Sequence, residues 1–170
     1  MRITTLTASF SFLLTLAACS SGSLPTADIS VGPTTAPAAA APETFENRQN
    51  AAYVFEPLVG APQEVGTQLS QRLASTAEQR GVKILPPTLG EPTHKIKGYL
   101  SAVNNGAGTL VNYTWDILTP DNQRVFRIRG EALGDQSSDP WSGVTSQTVA
   151  DIASDTIDQI KQWQTRNPQP

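Results

Sequence analysis

The chain has 170 residues, a formal net charge of −3 and one cysteine, Cys19. This acidic balance argues against a nucleic-acid binder, which would normally carry a basic excess. A single cysteine excludes a disulfide within the chain and a cysteine cluster for a metal. The fold must therefore rely on a hydrophobic core, and the length suits one domain.

Residues 1–18 have the pattern of a bacterial signal peptide. Arg2 supplies a positive start, and residues 3–18 carry no charge. The apolar part of this segment is shorter than the roughly 20 residues that a membrane-spanning helix needs. Small residues end the segment, and the predicted cleavage site follows Ala18.

The cleavage site directly precedes the cysteine, in the sequence Leu16-Ala17-Ala18-Cys19. This motif resembles the lipobox of bacterial lipoproteins. The resemblance implies that the Cys19 sulfur receives a diacylglyceryl group, that the chain is cut after Ala18, and that the new amine is acylated. Two alternatives stay open, namely a free thiol next to an ordinary secretory signal and a buried structural cysteine.

Lipidation would decide where the protein acts. One acyl chain binds a membrane only marginally, whereas several chains on one residue form a durable anchor. In lipoproteins an aspartate after the cysteine typically retains the chain at the inner membrane. Ser20 stands at that position, which favours the outer membrane, facing the periplasm, and leaves the inner membrane as the alternative. Beyond the covalent lipid on Cys19 we expect no cofactor and no metal.

The segment that follows Cys19 is predicted to be a disordered tether. Residues 19–50 are rich in Ala, Pro, Ser and Thr and contain few large apolar side chains, so they cannot bury enough surface to offset the entropy of ordering. The tether would reach about 30 Å as a coil and about 95 Å if fully extended. Residues 51–165 are predicted to form the globular domain, and residues 166–170 a flexible tail.

The domain is predicted to open with a strand, a helix and a short second strand. The first strand lies within residues 51–58, and the second within residues 82–87, where two prolines end it. Between them, Pro62 suits the first turn of a helix and Gly81 the residue just past its end. The helix has one apolar stripe with a four-residue period, made of Val65, Leu69, Leu73 and Ala77.

Three longer strands follow, and each alternates apolar with polar side chains. They are predicted at residues 94–103, 108–118 and 123–132, and each turn between them is predicted to be a four-residue hairpin loop. These loop lengths fix a register in which Gly98 faces Tyr113 and leaves room for its ring. The same register places Lys95 opposite Asp116 and gives a sheet with one apolar face and one polar face.

The polar face of this sheet is the candidate partner-binding site. Its basic and aromatic side chains are Lys95, Lys97, Tyr99, Arg127 and Arg129. On an acidic chain this basic surface could bind an anionic partner, such as a lipid A phosphate, a cell-wall polymer or an acidic protein patch. The alternative is a solvated sheet face whose charges deter aggregation.

The chain is predicted to end in a second long helix. Asp139 before Pro140 suits its start, and Gly143 delays the regular part to about Thr145. Its buried stripe is predicted to contain Val149, Ile152, Ala153, Thr156, Ile157, Ile160 and Trp163. The element order is β-α-β-β-β-β-α, which predicts an α+β two-layer sandwich with a mainly antiparallel sheet and both helices on one face.

This element order after a lipobox resembles three groups of envelope modules. They are the amino-terminal domain of the Tol-system translocation protein, the lipoprotein activators of penicillin-binding proteins, and the auxiliary lipoproteins of lipid-transport systems. That likeness concerns the order of elements and transfers no residue roles. The motifs KGYLSAV, VNYTWDIL, RVFRIRGE and DPW are more similar to small uncharacterised lipoproteins of Gram-negative bacteria, over roughly residues 52–165, and this resemblance implies no function.

The sequence does not favour catalysis. His94 is the single histidine, and a His-assisted nucleophile would need both an orienting carboxylate and a partner within reach. A histidine at the start of a strand is expected to be ordinary surface. Without a second histidine or a spare cysteine we do not expect a zinc site. We therefore expect no enzymatic activity.

Two functions fit these expectations. The first is a non-catalytic, outer-membrane-anchored periplasmic lipoprotein that acts as an accessory or scaffold module in envelope assembly or maintenance. Its partners would be the membrane, through the lipid anchor, and an envelope protein, lipid or cell-wall polymer, and not a nucleic acid. The alternative is an auxiliary lipoprotein of lipid or lipopolysaccharide transport that binds an acyl ligand in an apolar cavity between sheet and helices. The oligomeric state is not predicted.

Overall fold

The computed structural model describes residues 44–166, and the structural statements below concern that part of the chain. The predictions on the signal peptide, on Cys19, on residues 20–43 of the tether and on residues 167–170 lie outside it. The elements in chain order are α1 (Phe45–Gln49), β1 (Ala52–Phe55), α2 (Gln63–Arg80), β2 (Lys83–Ile84), β3 (His94–Asn104), β4 (Thr109–Leu118), β5 (Arg124–Gly134), a 3-10 turn (Pro140–Gly143) and α3 (Ser146–Thr165).

The five strands form one mixed sheet in the order β2-β1-β3-β4-β5. Strand β1 is parallel to both of its neighbours, while β3, β4 and β5 form an antiparallel meander. Helices α2 and α3 pack against each other, and their buried side chains join those of one sheet face in a single core. The predicted element order and the α+β two-layer architecture are confirmed, and α1 precedes them.

Helix α2 has the predicted ends and the predicted buried stripe. Pro62 precedes its first residue, and Gly81 follows its last with φ 66°, a left-handed conformation that glycine adopts without steric cost. Leu69, Leu73 and Ala77 are buried on one side of the helix, and Val65, the first residue of the predicted stripe, is half-buried. The four-residue period therefore identified the side that packs on the core.

Helix α3 also begins where the sequence predicts. Asp139 accepts a hydrogen bond from the Ser142 amide and caps the 3-10 turn, and Thr145 caps α3 itself. The side chains of Thr145 and Thr148 each accept from the other residue's backbone amide, which satisfies two amides that have no partner inside the helix. Every residue of the predicted stripe is buried.

The register predicted for β3 and β4 is wrong by two residues. Asn104 pairs with Thr109, and the Asn105 amide donates to the Gly108 carbonyl at 3.1 Å. The connection therefore has two residues instead of four. It begins with Gly106 at φ 83°, which supplies the positive φ that a tight hairpin turn requires. Because an even shift leaves each side chain on its own face, the predicted faces are correct although the pairs are not.

The register of β4 and β5 differs from the prediction for a related reason. Trp115 faces Ile128, and Leu118 pairs with Arg124 across an irregularity next to Ile117. The Thr119 amide donates to the Gln123 carbonyl at 2.9 Å, so the turn proper has three residues instead of the predicted four. Asn122 has a positive φ of 63° in this turn, as such short hairpin loops require. Because of the two-residue shift between β3 and β4, the predicted pairing of Lys95 with Asp116 is also wrong, and Lys97 lies opposite Asp116.

Two glycines of the sheet make room for buried aromatic rings. Gly98 lies opposite Trp115, and Gly130 lies opposite Tyr113. A Cβ atom on either glycine would overlap the facing ring. The predicted pairing of a glycine with an aromatic ring is thus correct in kind, but the partner of Gly98 is the tryptophan.

Helix α1 lies within the last residues of the predicted tether. Arg48 is 7% exposed, its Nη1 donates to the Trp163 carbonyl at 3.4 Å, and its guanidinium lies 5.8 Å from the centroid of the Trp163 ring. A cation at the carboxyl end of α3 interacts favourably with the helix dipole, and its hydrogen bond satisfies a carbonyl of the last turn. Residues 44–50, which the prediction assigns to the tether, therefore include a side chain that packs on the globular domain.

Candidate partner-binding face of the sheet

The sheet face opposite the two long helices carries the predicted binding residues. Across β3, β4 and β5 the facing residues form rows, because antiparallel neighbours point to the same side. One row is Lys97, Asp116 and Arg127, and the next is Tyr99, Thr114 and Arg129. Lys95 lies two residues before Lys97 on the same side. The structure thus brings all five predicted side chains onto one face. We call it the basic face.

One carboxylate lies at the centre of the basic face. Arg127 donates from Nε and Nη2 to the two oxygens of Asp116 at 2.5 and 2.6 Å, and Arg124 Nη1 lies 3.9 Å from the same carboxylate. The hydrogen bonds from Arg127 lower the pKa of Asp116, and the charges of Arg127, Arg124 and Arg129 lower it further, against the opposing effect of burial. Asp116 therefore stays ionised and holds the Arg127 side chain in place.

The paired Asp116 predicts a pH dependence of stability. Its folded-state pKa is lower than the ordinary value of 3.8. Its contribution is therefore complete above that value and is lost as the pH falls through the folded-state pKa, since the unfolded chain then binds more protons. We expect Asp116→Asn to lower the free energy of unfolding at neutral pH, and we expect this difference to shrink below about pH 4.

Urea unfolding between neutral and acid pH would measure this effect. Glu131→Gln is the matched control, because Glu131 is an exposed carboxylate on the same face. A difference between wild type and Asp116→Asn that stays constant down to acid pH would contradict the assignment.

The other predicted residues differ in the contacts that their side chains already make within the protein. Lys95 Nζ donates to the Pro120 carbonyl at 2.9 Å and to Asn122 Oδ1 at 3.1 Å, so it holds the β4–β5 turn. Lys97 Nζ lies 5.8 Å from the centroid of the Tyr99 ring, within the range of a cation–π contact. Arg129 is exposed and makes no hydrogen bond to the described residues, which leaves its guanidinium available to a partner.

The sequence did not identify Arg124 as part of this face. Regular alternation from Phe126 would turn Arg124 toward the core. The irregularity in the β4–β5 pairing places it opposite Leu118 and within reach of Asp116. A bulge of this kind leaves no pattern in a single sequence.

His94 is buried, which contradicts the expectation of an ordinary surface residue. It is 2% exposed, its Nδ1 lies 2.9 Å from Thr93 Oγ1, and its ring contacts those of Tyr53 and Trp163. The alternation that places Ile96 on the core face places His94 there too, so the signal was present in the sequence. A buried histidine in an aromatic cluster is typical of a structural role.

Two further features bear on ligands and membranes. Within residues 44–166, His, Cys, Asp and Glu side chains form no group of three that could hold a metal ion. None of the helices in this range combines the length and the apolar composition that crossing a bilayer requires.

The interior between the two layers is occupied by core side chains. Trp115 and Ile117 from the sheet and Ile152 and Ile157 from α3 are at most 1% exposed. A groove of about 590 Å³ lies elsewhere, between α2 and the segment around β2. Its walls are largely apolar and include Phe55, Val82, Ile84, Leu85, Pro86 and Pro87.

Comparisons with known proteins show similarity to solved structures alone. No family model matches the chain, and no curated protein matches it. A PelC dodecamer from Paraburkholderia phytofirmans aligns at 14% identity over 63% of this chain and 87% of that one, with a TM-score of 0.42. Lipoprotein GNA1162 from Neisseria meningitidis aligns at 9% identity over 65% and 96%, with a TM-score of 0.41.

A third solved structure is similar over the same extent. The hypothetical protein CT253 from Chlamydia trachomatis aligns at 10% identity over 69% of this chain and 99% of that one, with a TM-score of 0.40. At these scores the similarities carry no argument about family or function. The predicted resemblances to the Tol-system domain and to the other envelope modules therefore stay predictions.

Proposed function

We propose that this protein is a non-catalytic lipoprotein, anchored in the outer membrane through Cys19 and facing the periplasm. Its basic face would bind an anionic partner, and the protein would act as an accessory or scaffold module in envelope assembly or maintenance. The observation that carries this proposal is the cluster of Lys97, Arg124, Arg127 and Arg129 around the carboxylate of Asp116.

The distribution of charge supports a binding role for the basic face. The chain is acidic overall, and α3, in the other layer, carries exposed aspartates at positions 151, 155 and 158. Charges that merely deter aggregation are needed on edge strands. This alternative can account for Arg124, Arg127 and Arg129, which lie on the edge strand β5, but not for Lys95 and Lys97, which lie on the interior strand β3 between β1 and β4. A basic surface on an acidic protein attracts and orients anionic partners.

Photo-crosslinking in cells would test this proposal. A photoreactive phenylalanine analogue at Tyr99 or Arg129 is expected to capture a specific envelope component, because both side chains are exposed on the basic face. The controls place the same analogue at Glu64 or Lys161, which are exposed on the helical layer. Capture from the helical positions alone would show that the partner binds the opposite layer and would contradict the proposal.

The groove beside α2 favours a second candidate function, binding of an acyl ligand by an auxiliary lipoprotein of lipid or lipopolysaccharide transport. Its volume of about 590 Å³ lies within the range of small-molecule sites, roughly 300–1,000 Å³. Pro86 and Pro87 in its wall have no amide hydrogen, which suits a hydrocarbon ligand. This candidate ranks second because core side chains fill the space between sheet and helices, where such a ligand was expected.

A further inference from the structure

The basic face ends in a row of three apolar side chains, of which the outer two are exposed and the middle one is half-buried. Val103 lies opposite Leu110, and Leu110 lies opposite Leu133, on the same side of the sheet as Tyr99 and Arg129. Val103 is 47% exposed and Leu133 is 66% exposed. We call Val103, Leu110 and Leu133 the apolar row. Adjacent apolar side chains at the protein surface indicate an interaction site.

We propose that the basic face and the apolar row together dock on the surface of an anionic phospholipid bilayer. The basic side chains would contact lipid phosphates, and the apolar row would enter the boundary between headgroups and acyl chains. This inference rests on the proposed function, since it names the partner of the same face.

The combination of side chains favours a bilayer over a polymer or a protein patch. A polyanion would match the arginines and lysines but would leave the apolar row in water. Membrane-surface segments instead combine cations with apolar side chains that enter about 5–10 Å into the interface. Tyr99, which is 38% exposed, lies among the basic side chains of the basic face, and tyrosine is enriched at the headgroup level of membranes.

The spacing of the rows agrees with this geometry. At about 3.4 Å per residue, the apolar row lies about 14 Å along the strand from Tyr99. An inclined sheet can therefore place the apolar row deeper than the basic side chains. Two carboxylates oppose binding to anionic lipid, because Glu131 and Asp135 lie two residues to either side of Leu133 along the chain. Glu131→Gln is accordingly expected to strengthen binding.

Flotation with lipid vesicles would test the inference. The probe is the mature chain, residues 19–170, with Cys19→Ser, so that a lipid anchor does not mask the contribution of the face. Vesicles contain phosphatidylglycerol and phosphatidylcholine in equal parts, or phosphatidylcholine alone. We expect binding to the anionic vesicles, at least tenfold weaker binding for Arg129→Glu, which reverses one charge, and severalfold weaker binding for Leu133→Ser.

Salt separates the two contributions. The loss caused by Arg129→Glu should diminish at high ionic strength because charges at the surface are screened, whereas the loss caused by Leu133→Ser should persist. Matched controls are Lys161→Glu, on the helical layer, and Leu89→Ser, where Leu89 is 64% exposed in the β2–β3 loop. All four side chains are exposed, so Leu133→Ser, Lys161→Glu and Leu89→Ser are expected to melt at the wild-type temperature. Arg129→Glu also removes a cation that acts on Asp116, so it is expected to melt at a lower temperature but to be folded in the binding assay.

Several results would overturn the inference. They are no binding to anionic vesicles, equal losses in the control variants, or a loss with Arg129→Glu but none with Leu133→Ser, which would identify a purely ionic partner. If vesicles are not bound while crosslinking from Tyr99 still captures an envelope protein, the bilayer is the wrong partner and the proposed function stands. If both fail, the basic face is not a binding site.

Discussion

Gly98→Ala is expected to lower the free energy of unfolding by about 3 kcal/mol, the upper part of the range for overpacked cores. A Cβ atom at this position would overlap the ring of Trp115 and the side chain of Leu58. The ring has little freedom to move away, because it is 0% exposed and Phe55 packs against it edge-on at 5.4 Å between centroids. Either β3 and β4 must separate or the ring must leave its place in the core.

Gly66→Ala is the control, and it is expected to change stability in the opposite direction. Gly66 lies in α2, where the nearest atom to a new Cβ would be Leu58 Cδ1 at an ordinary 3.7 Å. Alanine in a helix is more favourable than glycine by roughly 0.5–1 kcal/mol. Urea unfolding of both variants would measure the two changes. Equal stabilities for Gly98→Ala and wild type would mean that Trp115 does not pack over Gly98.

The elements and their buried faces could be predicted from the sequence because they depend on local periodicity. The four-residue period of α2 and the alternation in β3, β4 and β5 each follow from which side chains must leave water. The register could not be predicted in the same way. It depends on the length of each turn, which the alternation in the strands does not specify. The signal lies in Gly106 and Asn122, whose residue types favour the positive φ of short turns, whereas the prediction assumes four-residue loops.

The candidate site shows the same division. Lys95, Lys97, Tyr99, Arg127 and Arg129 share a face because alternation alone decides the side to which each points. Their partners were not predictable, since each pair depends on the register. The error over His94 has a different cause. The prediction rests on the usual preference of histidine for the protein surface. The alternation of apolar and polar side chains in β3 instead places His94 on the core face.

The residues just before β1 show that composition alone does not predict whether a segment packs on the domain. The segment before β1 is too polar and too short to predict a packed helix. Arg48 nevertheless packs its guanidinium against the Trp163 ring and the end of α3. A long polar side chain can bury its stem and satisfy its charge at one helix terminus. This contact links two residues that are far apart in the chain, so no local sequence pattern predicts it.

Cys19→Ser is expected to abolish both the incorporation of labelled palmitate and the recovery of the protein in the membrane fraction. Anchoring by this residue is expected to be all or none, because each buried CH₂ contributes roughly 0.8 kcal/mol and every acyl chain would be attached at the same position. Binding through the proposed basic face alone would be reversible and is not expected to retain the protein through a high-salt wash. Labelling of the cells followed by fractionation would measure both losses.

Ser21→Ala is the matched control, since it removes a hydroxyl group two residues away and keeps the Leu16-Ala17-Ala18-Cys19 motif. It is expected to be labelled and fractionated like the wild type. An ordinary secretory signal would instead release an unlabelled protein into the periplasm whether or not the thiol is present. If wild type and Cys19→Ser incorporate palmitate equally, or if both stay in the membrane after a high-salt wash, lipidation at Cys19 is wrong. The basic face must then be tested as the binding site of a freely diffusing protein.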